Sequence, residues 1–215
     1  MKHILPILLL LNGCGDETSL PQPVPVPAPK LSAIRQSTPM AEQSATMVLG
    51  LTGAVSGMGR VIAKEVLSGR ETHATSTKDG TFSLVITNIA QAGGMELRFE
   101  TVEGERSEPL LLATTRAAFG PVLSPADAQG EVVSAPDTDG IVTVSSGSPQ
   151  LIAASPDVDV LISNANTGEV VLGVTDENGA FSLQLHGEQG QQILILLVEP
   201  ANPEQTSDFL AYEVP

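Results

Sequence analysis

A shift of 99 residues lays VIAKEVLSGRETHATSTKDGTFSL, Val61 to Leu84, on VLISNANTGEVVLGVTDENGAFSL, Val160 to Leu183, without a gap. Only six positions are identical, and their placement carries the argument. Gly69 and Gly168 each close a short polar turn. Asp79-Gly80 and Asn178-Gly179 are dipeptides that favour a type I′ hairpin, whose two central residues need positive φ. A chain that repeats a hairpin in this way is constrained to fold twice into the same short-stranded unit.

The segments after each turn alternate as half-buried strands do. Phe82, Leu84 and Ile86 share one face, as do Phe181, Leu183 and Leu185, while Ser83, Val85, Ser182 and Gln184 take the other. Met95, Leu97 and Phe99 alternate with Glu96, Arg98 and Glu100. Ile193 to Val198 is a continuous apolar run, which reads as a strand buried on both faces, although periodicity alone leaves a short helix open. Expected strands in the first unit are 48–55, 61–66, 71–77, 81–87, 95–103 and 109–114. In the second unit they are 140–144, 151–154, 158–163, 169–175, 180–185, 192–198 and 207–214. Short strands, Gly-containing turns and no long amphipathic helix predict an all-β protein of two tandem β-sandwiches.

Both units resemble the bacterial immunoglobulin-like and carboxypeptidase regulatory-like, or prealbumin-like, modules of exported proteins. The resemblance rests on SNANTGEVVLGVTDENGAFSLQL, Ser163 to Leu185, and its counterpart in the first unit. It implies a spacer, adhesion or binding role at a cell envelope and no reaction. The expected organisation is a signal peptide over 1–13, a lipidated N-terminus and tether over 14–45, one sandwich over 46–116, a linker over 117–136 and a second sandwich over 137–215.

The N-terminal reading starts from Met1-Lys2-His3, an apolar run from Ile4 to Leu11, and Leu11-Asn12-Gly13-Cys14. This is the layout of a secretory signal. Its ending resembles the lipobox of bacterial lipoproteins, which implies that Cys14 is lipidated and becomes the mature N-terminus. The chain would then be exported and held on a bacterial membrane, at the outer membrane or cell surface. Cys14 is the only cysteine, so no intrachain disulfide exists and stability must come from packing. Between Pro21 and Pro29, alternate prolines remove backbone donors and favour a stiff polyproline spacer of about 28 Å. Residues 30–45 read as more linker.

The chain carries 10 Lys+Arg against 25 Asp+Glu, and no Lys or Arg follows Arg116. Such an acidic surface repels phosphate backbones, which excludes a nucleic-acid partner. A protein or glycan partner is compatible with it.

TGAVSGMGRVIAKEV, Thr52 to Val66, resembles the cofactor fingerprint of the short-chain dehydrogenase/reductase family, and Asp79 lies at the spacing expected of a ribose-binding acid. The repeat argues otherwise, because it aligns Arg60 to Ser68 with a strand and an Asn-rich turn. The Tyr-x-x-x-Lys pair of that family is also missing: the sole tyrosine is Tyr212 and the last lysine is Lys78. The stretch therefore reads as strand, turn at Ser56 to Gly59, and strand, and no enzyme activity or cofactor is expected. His73 and His186 lie in different units and suit surface positions rather than zinc. Asp137, Asp139, Asp157 and Asp159, with Asp176 and Asn178, are partial oxygen ligand sets on turns. They define the alternative reading, a calcium-dependent adhesion or carbohydrate-binding module.

Overall fold

The computed structural model describes residues 24–37, 45–89, 93–113, 120–125, 132–146 and 152–215. Among them there is no α-helix, only a three-residue 3₁₀ turn, Leu31–Ala33, and fifteen strands. The protein is all-β and consists of two tandem β-sandwiches. Cys14 and the rest of the expected signal lie outside the described residues.

The first sandwich contains β1 (Ile34–Gln36), β2 (Thr46–Gly50), β3 (Gly59–Glu65), β4 (Glu71–Ser76), β5 (Phe82–Ile86), β6 (Gly94–Thr101) and β7 (Leu110–Ala113). One sheet has the order β4-β3-β6-β7 and the other β1-β2-β5. The second contains β8 (Leu123–Pro125), β9 (Ile141–Ser145), β10 (Ile152–Ala154), β11 (Asp159–Asn164), β12 (Val170–Val174), β13 (Ser182–His186), β14 (Gln192–Glu199) and β15 (Asn202–Glu213). Its large sheet, β12-β11-β14-β15, faces two small ones, β13-β9 and β10-β8. All of these pairings are antiparallel.

Each sandwich closes over its own core. Val48, Val61, Phe82, Leu84, Leu97 and Phe99 build the first, and Val142, Val160, Ile162, Leu185, Ile193 and Ile195 build the second. A third apolar cluster joins them. Met47 and Leu49 of β2 pack with Leu161 of β11, Leu194, Leu196 and Val198 of β14, and Phe209 of β15. The molecule is thus four sheet layers deep. Successive side chains of a strand point to opposite faces, so β14 sends Ile193, Ile195 and Leu197 into the second core and Leu194, Leu196 and Val198 into the third. That division explains the continuous apolar run, and it is strand throughout. Met47, Leu49, Leu161, Leu194, Leu196 and Val198 are each 1 % exposed or less, so the join is a dry core, unlike the more polar contacts usual between domains.

Buried hydroxyls in the join are paired, as burial requires. Thr81 Oγ1 donates to the Gly168 carbonyl at 2.9 Å, Ser83 and Ser163 share a 2.9 Å hydrogen bond, and Thr206 Oγ1 donates to the Gln36 carbonyl at 2.7 Å.

Several expected boundaries move. Residues 30–45 are not all linker: Ile34 enters the first core and β1 pairs with β2, while Val26 also packs there and Pro29 is buried. The three-residue strand is too short, and too polar on its other positions, to show a period. Within 117–136, β8 pairs with β10, Leu123 and Val133 are buried, and Val133 bridges Val144. The strand expected over 48–55 ends at Gly50, because Gly53 has φ +74° and Ala54 N–H turns back to the Leu51 carbonyl. The last strand begins at Asn202, five residues earlier than expected.

The duplication also extends beyond the stretch that aligns without gaps. Ser37 exchanges hydrogen bonds with the Met47 backbone at 2.8 Å in both directions, and Ser134 does the same with Thr143 at 2.9 Å. Ser107 Oγ accepts from Phe99 N–H and Ser207 Oγ from Leu197 N–H, each at 2.9 Å. Small insertions displace these pairs from the 99-residue shift, which hides them from a gapless comparison.

Candidate functional surface

The glycine-rich stretch does not open a helix. A phosphate site needs free backbone amides at a helix N-terminus. Here Gly53 N–H donates to the Asp79 carbonyl at 2.8 Å, Ala54 to Leu51 at 2.9 Å and Val55 to Gly80 at 3.4 Å, and residues 59–65 continue as strand β3. Gly59 is demanded by packing, since a Cβ there would sit 2.3 Å from the Glu100 carbonyl oxygen and 2.6 Å from the Phe99 ring. Asp79 supplies a turn. Tyr212 packs against the second core, where burial pushes its hydroxyl pKa up, while Lys78 belongs to a hairpin of the other sandwich.

The acidic turns are used internally. Asp137 Oδ1 accepts from the amides of Asp139 and Ile141 at 2.9 and 2.8 Å, and Asp176 Oδ1 accepts from those of Asn178 and Ala180, both at 2.8 Å. These are side-chain turn caps, completed by Gly140 and Gly179 at φ +75° and +74°. Asp157 occupies a turn and Asp159 starts β11. Among the described residues, no three His, Cys, Asp or Glu side chains converge as an ion site, so the calcium ligands considered from sequence are not brought together. His73 lies on edge strand β4, and His186 Nδ1 is 3.3 Å from the Glu169 carboxylate on an exposed face of β13. Among the described residues no helix is long and apolar enough to cross a membrane.

What the structure does bring together is a set of sheet faces with contrasting chemistry. The strands β3 and β6 correspond in register to β11 and β14. Outward pairs Arg60/Glu100, Ile62/Arg98 and Lys64/Glu96 in the first sandwich become Asp159/Val198, Leu161/Leu196 and Ser163/Leu194 in the second. The first set is a charged outer face. Glu100 receives Arg106 Nε at 2.5 Å and Arg60 at 2.6 Å. The hydrogen bond from Arg106 holds its carboxyl below the ordinary 4.5, with the Arg60 charge acting in the same direction and burial opposing both. The second set is the apolar floor of the join.

The reverse holds on the other sheets. Outward pairs Met47/Val85 and Leu49/Ser83 correspond to Thr143/Gln184 and Ser145/Ser182. The apolar pair lies in the join and the polar pair forms the far end of the stack. Two apolar faces therefore meet, and the terminal faces are mostly polar, with Ile62 and Leu111 among the charges of the first. Stacked repeats need such capping to remain soluble, and a head-to-tail interface without it would continue from molecule to molecule.

Among the exposed apolar side chains of the described residues, two lie together on one face of a strand. Strand β12 is the edge of its sheet, and Leu172 and Val174 are 57 % and 62 % exposed. Val170, on the same face, packs against the third core. The matching positions of β4 are Glu71, His73 and Thr75, opposite Lys64, Ile62 and Arg60. Sequence reading classed β12 as an ordinary strand. Its signal was the unbroken Val170-Val171-Leu172-Gly173-Val174, which lacks the charges that usually guard an edge.

No protein-family model and no curated protein sequence matches this chain. Among solved structures it is similar to a two-domain fibronectin type-III segment of chicken tenascin, at 14 % identity over 86 % of this chain and 97 % of that one, with a TM-score of 0.30. It is also similar to the structure of a 1.5-MDa bacterial ice-binding adhesin (13 % identity, 89 % and 65 % covered, TM-score 0.29). A third similarity is to a DUF3823 family protein from Bacteroides ovatus (10 % identity, 85 % and 100 % covered, TM-score 0.28). None of these likenesses bears on an activity or a partner.

Proposed function

We propose that this chain is a non-enzymatic, exported lipoprotein whose stacked β-sandwiches act as a spacer and as a binding or adhesion surface at a bacterial cell envelope. The observation that carries this reading is the dry core between the sandwiches. A body joined by Met47, Leu49, Leu194 and Leu196 holds its edges and loops in a fixed relation, which is what presenting a surface requires. In the stretch that resembled a cofactor site, the amides of Gly53, Ala54 and Val55 are spent on carbonyls of the fold, and two of the aspartates that resembled ion ligands, Asp137 and Asp176, cap hairpins.

The membrane end of the reading rests on Leu11-Asn12-Gly13-Cys14 and the prolines that follow. A lipid on Cys14 supplies attachment, and the stretch between Cys14 and Val26, where the chain docks on the first sandwich, supplies reach. Fractionation of cells expressing the gene with Cys14→Ser tests it: the protein should leave the membrane fraction, and unchanged membrane attachment would overturn the anchor. A protein or glycan partner should bind equally with calcium and with chelator, and the melting temperature should likewise be indifferent to calcium.

A further inference from the structure

We infer that the free edge of β12 is a strand-addition site for an extended segment with an apolar, alternating centre and basic flanks. The inference deepens the binding role proposed above and rests on it. In the ladder with β11, Asn164 N–H donates to the Glu169 carbonyl and Thr175 N–H to the Val158 carbonyl, at 3.0 Å each. Antiparallel pairs alternate between bonded and non-bonded, so Val171 and Gly173 also spend their backbone groups on β11. The N–H and C=O groups of Val170, Leu172 and Val174 point the other way, to the open edge. Among the described residues nothing pairs with them.

The side chains of those same three residues lie on the face that carries Leu161 and the third core. An added strand would gain hydrogen bonds from this edge and extend an existing apolar surface with its alternate side chains. The first sandwich folds with His73 and Thr75 at the positions matching Leu172 and Val174, so the two exposed apolar residues of β12 are not a demand of the fold.

Charge selects the partner. Asp159 stands beside Val174, Glu169 precedes β12, Asp176 and Glu177 follow it, and no Lys or Arg occurs anywhere from 117 to 215. Lys or Arg at both ends of the incoming segment complements these acids. A second copy of this chain does not fit as well, because antiparallel pairing of two β12 strands would set the Glu169 of one beside the Asp176 of the other.

The test uses the full-length chain carrying Cys14→Ser and a synthetic peptide, Lys-Thr-Val-Thr-Val-Thr-Val-Lys. The peptide should slow amide hydrogen exchange at Val170, Leu172 and Val174. Leu172→His with Val174→Thr, which copies His73 and Thr75, should weaken binding by about tenfold or more while the protein still melts cooperatively. Replacing both peptide lysines by glutamate should abolish binding, and salt near about 0.5 M should weaken it. Equal binding by wild type and variant, protection at a different edge, or no binding overturns the proposal. Protection that rises with protein concentration in the absence of peptide assigns the edge to a second copy and overturns it too. Should the double variant not fold, the glutamate peptide and the exchange pattern on the wild type still decide. Failure here leaves the anchoring result with Cys14→Ser untouched, so the two readings stand or fall separately.

Discussion

Strand β6 of the first sandwich and strand β14 of the second occupy equivalent places in their sheets, yet the outer face of one meets water and that of the other meets the interior. Glu96, Arg98 and Glu100 on β6 become Leu194, Leu196 and Val198 on β14. The inward residues, Met95, Leu97 and Phe99 against Ile193, Ile195 and Leu197, stay apolar in both. A duplicated unit has thus kept the face that makes it a sandwich and changed the face that decides its neighbours. The exposed stripe on β12 belongs to the second kind of face, which is why it reads as an interaction surface.

The largest effect should come from exchanging residues between those faces. Leu196→Arg gives β14 the residue of its counterpart and buries an unpaired charge, and a loss of about 4 kcal/mol or more is expected in chemical unfolding. The mirror change, Arg98→Leu, lies on the exposed face and should stay within about 0.5 kcal/mol. Similar losses in both would show that the two faces are not distinct.

A middling effect is expected at the hairpin glycines, where the sandwiches should agree. At Gly80 and Gly179 a Cβ would lie 2.1 Å from the carbonyl oxygens of Val55 and Ala154, with φ +76° and +74°. Gly80→Ala and Gly179→Ala should each cost about 3 kcal/mol, combining left-handed strain with a backbone clash. Gly53→Ala, at φ +74° in open space, should cost only about 1 kcal/mol. Thermal melts would rank the three.

Smaller still are the paired serines. Ser107→Ala and Ser207→Ala each strip a buried amide of its acceptor and should cost about 1–2 kcal/mol, equally in the two sandwiches.

The smallest effect is a pH dependence confined to the first sandwich. Because Glu100 has a folded-state pKa below its ordinary 4.5, its contribution is complete above that value and drains away as pH falls through the lowered one. Melting curves of Glu100→Gln should show a shallower decline on the acid side of 4.5 and match wild type in slope at neutral pH. An unchanged acid slope would mean that the Arg60 and Arg106 contacts contribute nothing.

Much of this architecture was legible in the residues. The Asp79-Gly80 and Asn178-Gly179 turns and the alternation of Phe82, Leu84 and Ile86 follow from φ preference and a period of two, and the strand character of Val61 to Glu65 follows from its alignment with the second unit. The edge strand β1 and the repeated serine pairs were not legible. A three-residue strand has too few positions to show a period, and a hydrogen bond between Ser107 and Phe99 leaves no pattern in composition. The glycines from Gly53 to Gly59 looked like a ligand site because sequence records where a tight backbone is allowed, not what takes up its amides.

By itself the sequence determined that this protein is all-β, that it is built twice from one hairpin-containing unit, and that Ile193 to Val198 is an apolar run to be kept from water. Only the tertiary structure decided that this run is a strand buried on both faces, that its second face is covered by Met47 and Leu49 of the other unit, and that β12 stays partly bare. The reason is that hydrophobic burial has no direction. An apolar face in a sequence states that water must be excluded, and only the packed molecule states by what.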